Sequence, residues 1–192
     1  NNFELILVND GSTDNSKQVL EKIKKNYLIT IINLNHNKGQ SFAILQGIKK
    51  SKYNNVITMD GDGQNNPTDI KKLIEFYFSD TTLSLVGGIR KKRKDSLVKI
   101  YSSKVANFIR SKILNDDCID TGCSLKIFKK DVFLAFPFFN GIHRFLPALF
   151  KGYGKKTFYI DVDHRSRNLG ISKYGTFDRL FKGVIDIFRV LI

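Results

Sequence analysis

Through the first 87 positions, short apolar runs alternate with segments whose apolar residues recur every three or four positions. Phe3 to Val8, Leu28 to Leu34 and Val56 to Met59 read as strands, and residues 15–26 and 40–50 as the helices between them. In the first helix Val19, Leu20, Ile23 and Tyr27 make one stripe with lysines elsewhere, the pattern of a helix packed on a sheet. Pro67 suits a helical first turn, and Ile70, Leu73, Ile74 and Tyr77 carry that helix toward a strand at Leu83 to Val86. Strand and helix in strict alternation predict an α/β fold, with a mostly parallel central sheet flanked by helices. Beyond Gly87-Gly88 the pattern changes to a basic loop, a long helix over 96–114, and strands near 124–128 and 157–163. No Pro/Gly/Ser-rich linker intervenes, so residues 1–175 read as one domain, with 1–87 and 88–175 as its two functional parts. From 176 to 192, Phe177, Leu180, Phe181, Val184, Ile185, Phe188 and Leu191 form the stripe of an amphipathic helix. Such a stripe either packs on the core or lies in a membrane interface.

A chain of 192 residues with 42% apolar content supports a single hydrophobic core. No run approaches the roughly 18 consecutive apolar residues of a membrane-spanning helix. The chain opens on a strand pattern rather than a basic and then apolar leader, so no signal peptide is expected. Cys118 and Cys123 are too few for a disulfide framework, and no second Cys/His pair completes a zinc site; they read as small buried residues in a reducing compartment. The net charge of +14 is unevenly spread: residues 1–86 hold 10 Lys/Arg against 9 Asp/Glu, residues 87–192 hold 22 against 9. The second part therefore faces an anionic partner, for which nucleic acid, an acidic membrane and a phosphorylated substrate all qualify.

Candidate chemistry gathers at the carboxyl ends of the predicted strands, where open α/β sheets bind ligands. The first ends in Asn9-Asp10-Gly11-Ser12-Thr13-Asp14; Asp14 is expected to cap the next helix and Asp10 to contact a base or ribose. The third ends in Asp60-Gly61-Asp62-Gly63-Gln64. Two carboxylates one residue apart suit a hard cation held against a diphosphate. A D-x-D alone also occurs in plain surface turns, but this one follows Asn37-x-Gly39 and the Asp10 loop at successive strand ends, so the three loops are expected to converge on one cleft. Neither G-x-G-x-x-G nor a P-loop motif is present.

Taken in order, Val8-Asn9-Asp10-Gly11-Ser12-x-Asp14, Asn37-x-Gly39-x-x-x-Ala43-x-x-x-Gly47, Asp60-x-Asp62-x-Gln64-x-x-Pro67, Gly88-x-Arg90-x-x-Arg93 and Asp120-Thr121-Gly122-Cys123 resemble family 2 inverting glycosyltransferases of the GT-A fold. His143-Arg144-Phe145-Leu146-Pro147 and His164-Arg165-x-Arg167-x-x-Gly170-x-Ser172-Lys173-Tyr174 resemble the polyprenyl-phosphate subgroup, the dolichyl-phosphate mannosyltransferase-like enzymes. Family members open with a further strand of P-x-Y-N-E type, and this sequence starts at what reads as the second strand; a fragment continuing past its last residue is expected.

The resemblance implies transfer of a sugar, with inversion, from a nucleoside-diphosphate donor to a dolichyl- or undecaprenyl-type phosphate on the cytoplasmic side of a membrane, with Mg²⁺ or Mn²⁺ as cofactor. It implies donor contacts from Asp10, Gly11, Ser12, Asn37, Gly39, Asp60, Asp62 and Gln64, with Asp60, Asp62 and Gln64 at the metal. Acceptor-phosphate contacts are expected from Arg90, Arg167 and Lys173, and secondarily from Arg93, Arg165 and Ser172. The candidate catalytic set is Asp62, Arg90, Asp120, Arg167 and Lys173, with Asp120 either lining the sugar or capping a turn. His143 and His164 read as structural hydrogen-bonding residues, because neither has a second ligand at i+3 or i+4. A phosphate monoester is largely dianionic at neutral pH and needs positioning cations more than a strong base. The alternatives are a family 2 transferase with a soluble or glycan acceptor, and a basic nucleic-acid-binding domain, whose phosphates the carboxylate-rich strand ends would repel.

Overall fold

A computed structural model describes residues 3–91, 108–165 and 186–190. Strand β1 (Leu5–Asn9) leads through helix α1 (Ser16–Asn26) to β2 (Ile29–Asn33), and the two strands pair in parallel with Asn9 opposite Asn33. Helix α2 (Gln40–Lys50), β3 (Asn55–Thr58), α3 (Asp69–Ser79) and β4 (Leu83–Lys91) follow. After a helical segment at 108–114, here α4, come β5 (Lys126–Lys129), α5 (Lys130–Leu134), a 3₁₀ turn (Ile142–Arg144), α6 (Leu146–Gly152) and β6 (Lys156–Asp163).

The expected alternation holds, with two differences. The described strands form two sheets, β1-β2 and β3-β5-β4-β6, and in the second β5 runs antiparallel to both neighbours while β4 and β6 are parallel. Strand β5 inserts between β3 and β4, a pairing that depends on long-range contacts rather than on local pattern. The glycine pair Gly87-Gly88, which reads as a strand end, lies inside β4. A Cβ on Gly88 would stand 2.7 Å from Val162 Cγ2 and 2.9 Å from Cys123 Sγ, so these glycines let β6 and the 120–124 turn come close.

Apolar side chains fill both faces of the four-stranded sheet. Leu45 and Ile48 of α2, Leu85, Phe128, Phe133, Phe145, Leu146 and Phe150 make one cluster; Leu73 and Tyr77 of α3, Leu83, Val86, Leu125, Ile127 and Val162 make the other. A register shift between Leu83 and Leu85 puts Leu83 and Val86 on the same face although they are three positions apart. Helix α1 contributes no buried residue: Val19 and Ile23 stay partly exposed, because a two-stranded sheet covers less of the stripe than its pattern anticipates. Cys118 and Cys123 are buried free thiols, and burial pushes the Cys118 thiol up to about 11. Of the C-terminal stripe only 186–190 is described. There Ile187 and Val190, which lie outside the predicted stripe, pack on the first cluster, whereas Phe188, a member of it, is exposed. Asp186 accepts from Arg144 Nη2 at 2.7 Å and from Arg189 Nη1 at 2.9 Å.

Candidate functional site

The chain leaving β1 is held by side-chain amides. Buried Asn9 donates from Nδ2 to Asn33 Oδ1 at 3.0 Å, and its own Oδ1 accepts the Ser12 N–H at 3.0 Å. Gly11 adopts φ +64°, and a Cβ there would fall 2.3 Å from the His36 carbonyl carbon, so the Asp10 loop lies directly on the loop that precedes α2. The two Asp10 oxygens take the backbone N–H groups of Lys38 at 2.8 Å and Gly39 at 2.9 Å, and Asn37 Nδ2 donates to the Asp10 carbonyl at 3.2 Å. Asp10, Gly11, Asn37 and Gly39 thus come together as the sequence predicts, but the Asp10 carboxylate here clamps one loop to another. Asp14 Oδ1 accepts the Ser16 N–H at 2.9 Å in an Asx turn one residue before the helix cap, which is Asn15 and makes no side-chain cap bond; the expected cap by Asp14 is thus replaced by a turn contact.

The second wall is the Asp60 turn. Asp60, Asp62, Gln64, Asn65, Arg90, Gly122, Ser124 and His164 line one hollow. Ser124 anchors its base: its Oγ accepts the Asp60 N–H at 3.2 Å and Asn65 Nδ2 at 2.9 Å, and its carbonyl accepts Thr58 Oγ1 at 2.8 Å. Asp62 Oδ1 accepts the Gln64 N–H at 3.1 Å. Burial first, and then the neighbouring Asp62 charge, raise the Asp60 pKa above the usual carboxylate value; the Ser124 hydrogen bond, Lys126 and Arg90 oppose that rise. Gln40, at the start of α2, donates from Nε2 to Asp60 Oδ1 at 2.7 Å, joining this turn to the Asp10 clamp.

Arg90 and Asp120 form the third wall. Nε and Nη2 of Arg90 reach Asp120 Oδ2 and Oδ1 at 2.8 and 2.7 Å, and the Arg90 backbone N–H adds a third bond at 3.1 Å. Gly122 makes room, since a Cβ there would meet Arg90 Nη2 at 2.8 Å. Asp120 is therefore more than a turn cap: it fixes the orientation of the arginine that lines the hollow. Lys126, outside the set of residues the motifs single out, is buried and donates to the Thr121 and Cys123 carbonyls, closing the same turn. A lysine between Leu125 and Ile127 in an apolar strand was the signal for it. Nothing in the pattern singled out Gln40, Ser124 or Asn65, whose roles depend on partners 20 to 64 residues away.

His143 is structural, as expected. Its Nδ1 lies 2.7 Å from Ser41 Oγ, and burial pushes its pKa down to about 3, so it is neutral. His164 borders the hollow, with Nε2 3.3 Å from Gln64 Nε2. Arg165 donates its backbone N–H to the Gln64 carbonyl at 2.8 Å and its Nη2 to Asn66 Oδ1 at 2.8 Å, which ties the end of β6 to the carboxylate turn. Ser12 is exposed at the rim of the Asp10 loop. Arg93, Arg167, Ser172 and Lys173 lie outside the described residues.

Among the described residues, no three His, Cys, Asp or Glu side chains converge as a closed metal cage. The donors at hand are two carboxylates on one turn, with Gln64 beside them. That partial set fits a hard divalent cation whose other ligands are phosphate oxygens and water, and it does not fit a structural zinc.

Residues 1–135 match the family described as Glycosyl transferase family 2. Undecaprenyl-phosphate 4-deoxy-4-formamido-L-arabinose transferase of Proteus mirabilis is 35% identical over 192 residues, covering 98% of this chain and 58% of its own length. Dodecaprenyl-phosphate galacturonate synthase of Rhizobium johnstonii is 34% identical over 194 residues, covering 98% and 57%. The chain thus spans less than two thirds of these curated relatives. Among solved structures, glucosyl-3-phosphoglycerate synthase of Mycobacterium tuberculosis, in complex with Mn²⁺, UDP-glucose and phosphoglyceric acid, superposes with a TM-score of 0.70 at 14% identity, over 98% of this chain and 67% of that one. Mannosyl-3-phosphoglycerate synthase of Rubrobacter xylanophilus does so with a TM-score of 0.72 at 11% identity, over 97% and 62%. At such identities the likeness is one of fold, the GT-A architecture.

Proposed function

Because this chain belongs to glycosyl transferase family 2, we propose that the protein of which it forms part transfers a sugar, with inversion, from a nucleoside-diphosphate sugar to a polyprenyl phosphate at a membrane surface. The observation that carries this reading is the single hollow lined by Asp60 and Asp62 on one side and by Arg90 on the other. The names of the relatives, undecaprenyl- and dodecaprenyl-phosphate sugar transferases, support the lipid-phosphate acceptor.

In this reading residues 1–87 form the donor part and 88–175 the acceptor part of one domain, and 176–192 an interfacial helix. Asp10, Gly11, Ser12, Asn37 and Gly39 border the nucleotide, their loops held in register by the Asp10 clamp. Asp60 and Asp62, with Gln64, hold Mg²⁺ or Mn²⁺, which supplies electrostatic stabilisation of the leaving diphosphate. The acceptor phosphate acts as nucleophile in its dianionic form, so the chain positions it with cations rather than deprotonating it. Arg90, oriented by Asp120, is the described member of that cationic set that lines the hollow. Arg165, tied to the Gln64 carbonyl and to Asn66 just past β6, is a secondary member, and Arg93, Arg167, Ser172 and Lys173 complete the proposed set. Membrane contact is assigned to the basic, amphipathic sequence toward residue 192; among the described residues no helix is long and apolar enough to cross a membrane.

The test is a panel of nucleotide sugars offered to the full-length protein with short-chain polyprenyl phosphate, with and without Mn²⁺. Metal-dependent glycosyl transfer to the lipid phosphate, lost in Asp62→Asn with the thermal midpoint unchanged, is expected. Transfer to a soluble acceptor alone would reject the lipid assignment, and turnover unchanged in Asp62→Asn would reject the metal role. Strong salt-dependent oligonucleotide binding, without nucleoside-diphosphate binding, would move the protein to the nucleic-acid class.

A further inference from the structure

Three consecutive residues at the start of α2 make three separate long-range contacts, two of them to walls of the cleft. The Gly39 N–H donates to Asp10 Oδ2 at 2.9 Å. Gln40 Nε2 donates to Asp60 Oδ1 at 2.7 Å. Ser41 Oγ accepts the Gly141 N–H at 2.8 Å and meets His143 Nδ1 at 2.7 Å, so the turn is pinned from behind by a buried contact.

The middle residue stands out. Gln40 is exposed, contributes nothing to the core, and gives α2 no side-chain cap. Its hydrogen bond across the cleft is short for an amide donor and ends on a carboxylate, which makes it charge-assisted. A carboxylate held at one oxygen can no longer turn freely about its last side-chain bond, so the direction of the other oxygen is set as well. Glutamine suits this role because its amide donates without charge, whereas lysine would neutralise Asp60 and compete with a cation, and asparagine is one methylene shorter. Because the same turn carries the Gly39 contact to Asp10, the carboxylate is placed relative to the nucleotide loop by one rigid element.

We propose that Gln40 is a positioning residue for the divalent cation, orienting Asp60 for metal binding and setting the affinity of the site. The inference rests on the reading that Asp60 and Asp62 hold the cation of a nucleoside-diphosphate donor. Hydrogen-bonding partners of metal ligands typically control affinity by about 10- to 100-fold.

The experiment titrates Mn²⁺ alone into the full-length, metal-free protein, with bound and free ion followed by electron paramagnetic resonance, for wild type, Gln40→Met, Gln40→Asn and Asp60→Asn. Gln40→Met keeps length and volume without the donor. It is expected to weaken Mn²⁺ binding by about 10-fold or more, to leave the metal-free thermal midpoint at the wild-type value, and to be matched by Gln40→Asn. Unchanged Mn²⁺ affinity in Gln40→Met, alongside lost affinity in Asp60→Asn, would overturn this inference while leaving the metal site standing. Equal affinity in wild type and Asp60→Asn would overturn the metal assignment and the inference together. A fall in the metal-free midpoint of Gln40→Met with no change in affinity would assign Gln40 a purely structural role.

Discussion

Arg90 grips both carboxylate oxygens of Asp120, at 2.8 and 2.7 Å, with the two side chains only 14% and 8% exposed. Pairing at this depth ties fold and function together, because the arginine that lines the hollow owes its direction to a residue 30 positions later. Asp120→Ala leaves a nearly buried guanidinium without its carboxylate, and a cost of about 3–5 kcal/mol in unfolding free energy is expected. The double variant Arg90→Met/Asp120→Leu should recover a large part of that loss. Chemical denaturation of the single and double variants checks both, and additive losses would contradict a coupled pair.

His143 makes stability depend on pH. Its folded pKa, near 3, lies below the ordinary value of 6.5, so between these values the unfolded chain binds the proton and the native chain does not. Its contribution is fully present above pH 6.5 and falls as pH drops toward 3, by about 1.4 kcal/mol per unit. Urea unfolding at about pH 4.5 and 7, on either side of the ordinary imidazole value, should show a steeper loss for wild type than for His143→Gln, which has no imidazole to protonate. Parallel pH profiles would refute the assignment.

Two glycines of the Asp10 and Asn37 loops should respond differently to alanine. At Gly11 the added methyl meets the His36 and Asn37 backbone at 2.3 and 2.4 Å, and the φ is positive as well, so Gly11→Ala is expected to cost about 2–5 kcal/mol and to separate Asp10 from its two amides. Gly39, at φ +90°, has nothing within 4 Å of the added atom. Gly39→Ala should therefore cost only backbone strain, about 1–3 kcal/mol. Thermal unfolding of both variants, with amide exchange at Lys38 and Gly39, distinguishes the two effects.

Lys126 is the cation behind Asp60. Lys126→Met leaves the Thr121 and Cys123 carbonyls without their ammonium donor, at about 1–3 kcal/mol for a buried group left unsatisfied. It also removes a charge that lowers the Asp60 pKa, so that pKa should rise further. A carbon-detected titration of Asp60 in labelled protein reads the shift, and an unmoved midpoint would show that Lys126 does not act on the carboxylate.

Much of this molecule was legible along the chain. Helices at 16–26 and 40–50, the succession of strands and helices through β4, and the gathering of the Asp10, Asn37 and Asp60 loops follow from periodicity and from the rule that such sheets bind ligands at strand ends. These are properties of local pattern, and local backbone energetics decide them. Tertiary structure alone decided the reversed insertion of β5, the use of Gly87-Gly88 as a close-packing strip, the Arg90–Asp120 fork and the reach of Gln40 to Asp60. Each of these depends on which groups meet after residues 20 positions or more apart are folded together, and no spacing rule contains that distance. The residue types that carry charge to the cleft are written in the sequence; the hydrogen bonds that aim them exist only once the sheet has formed.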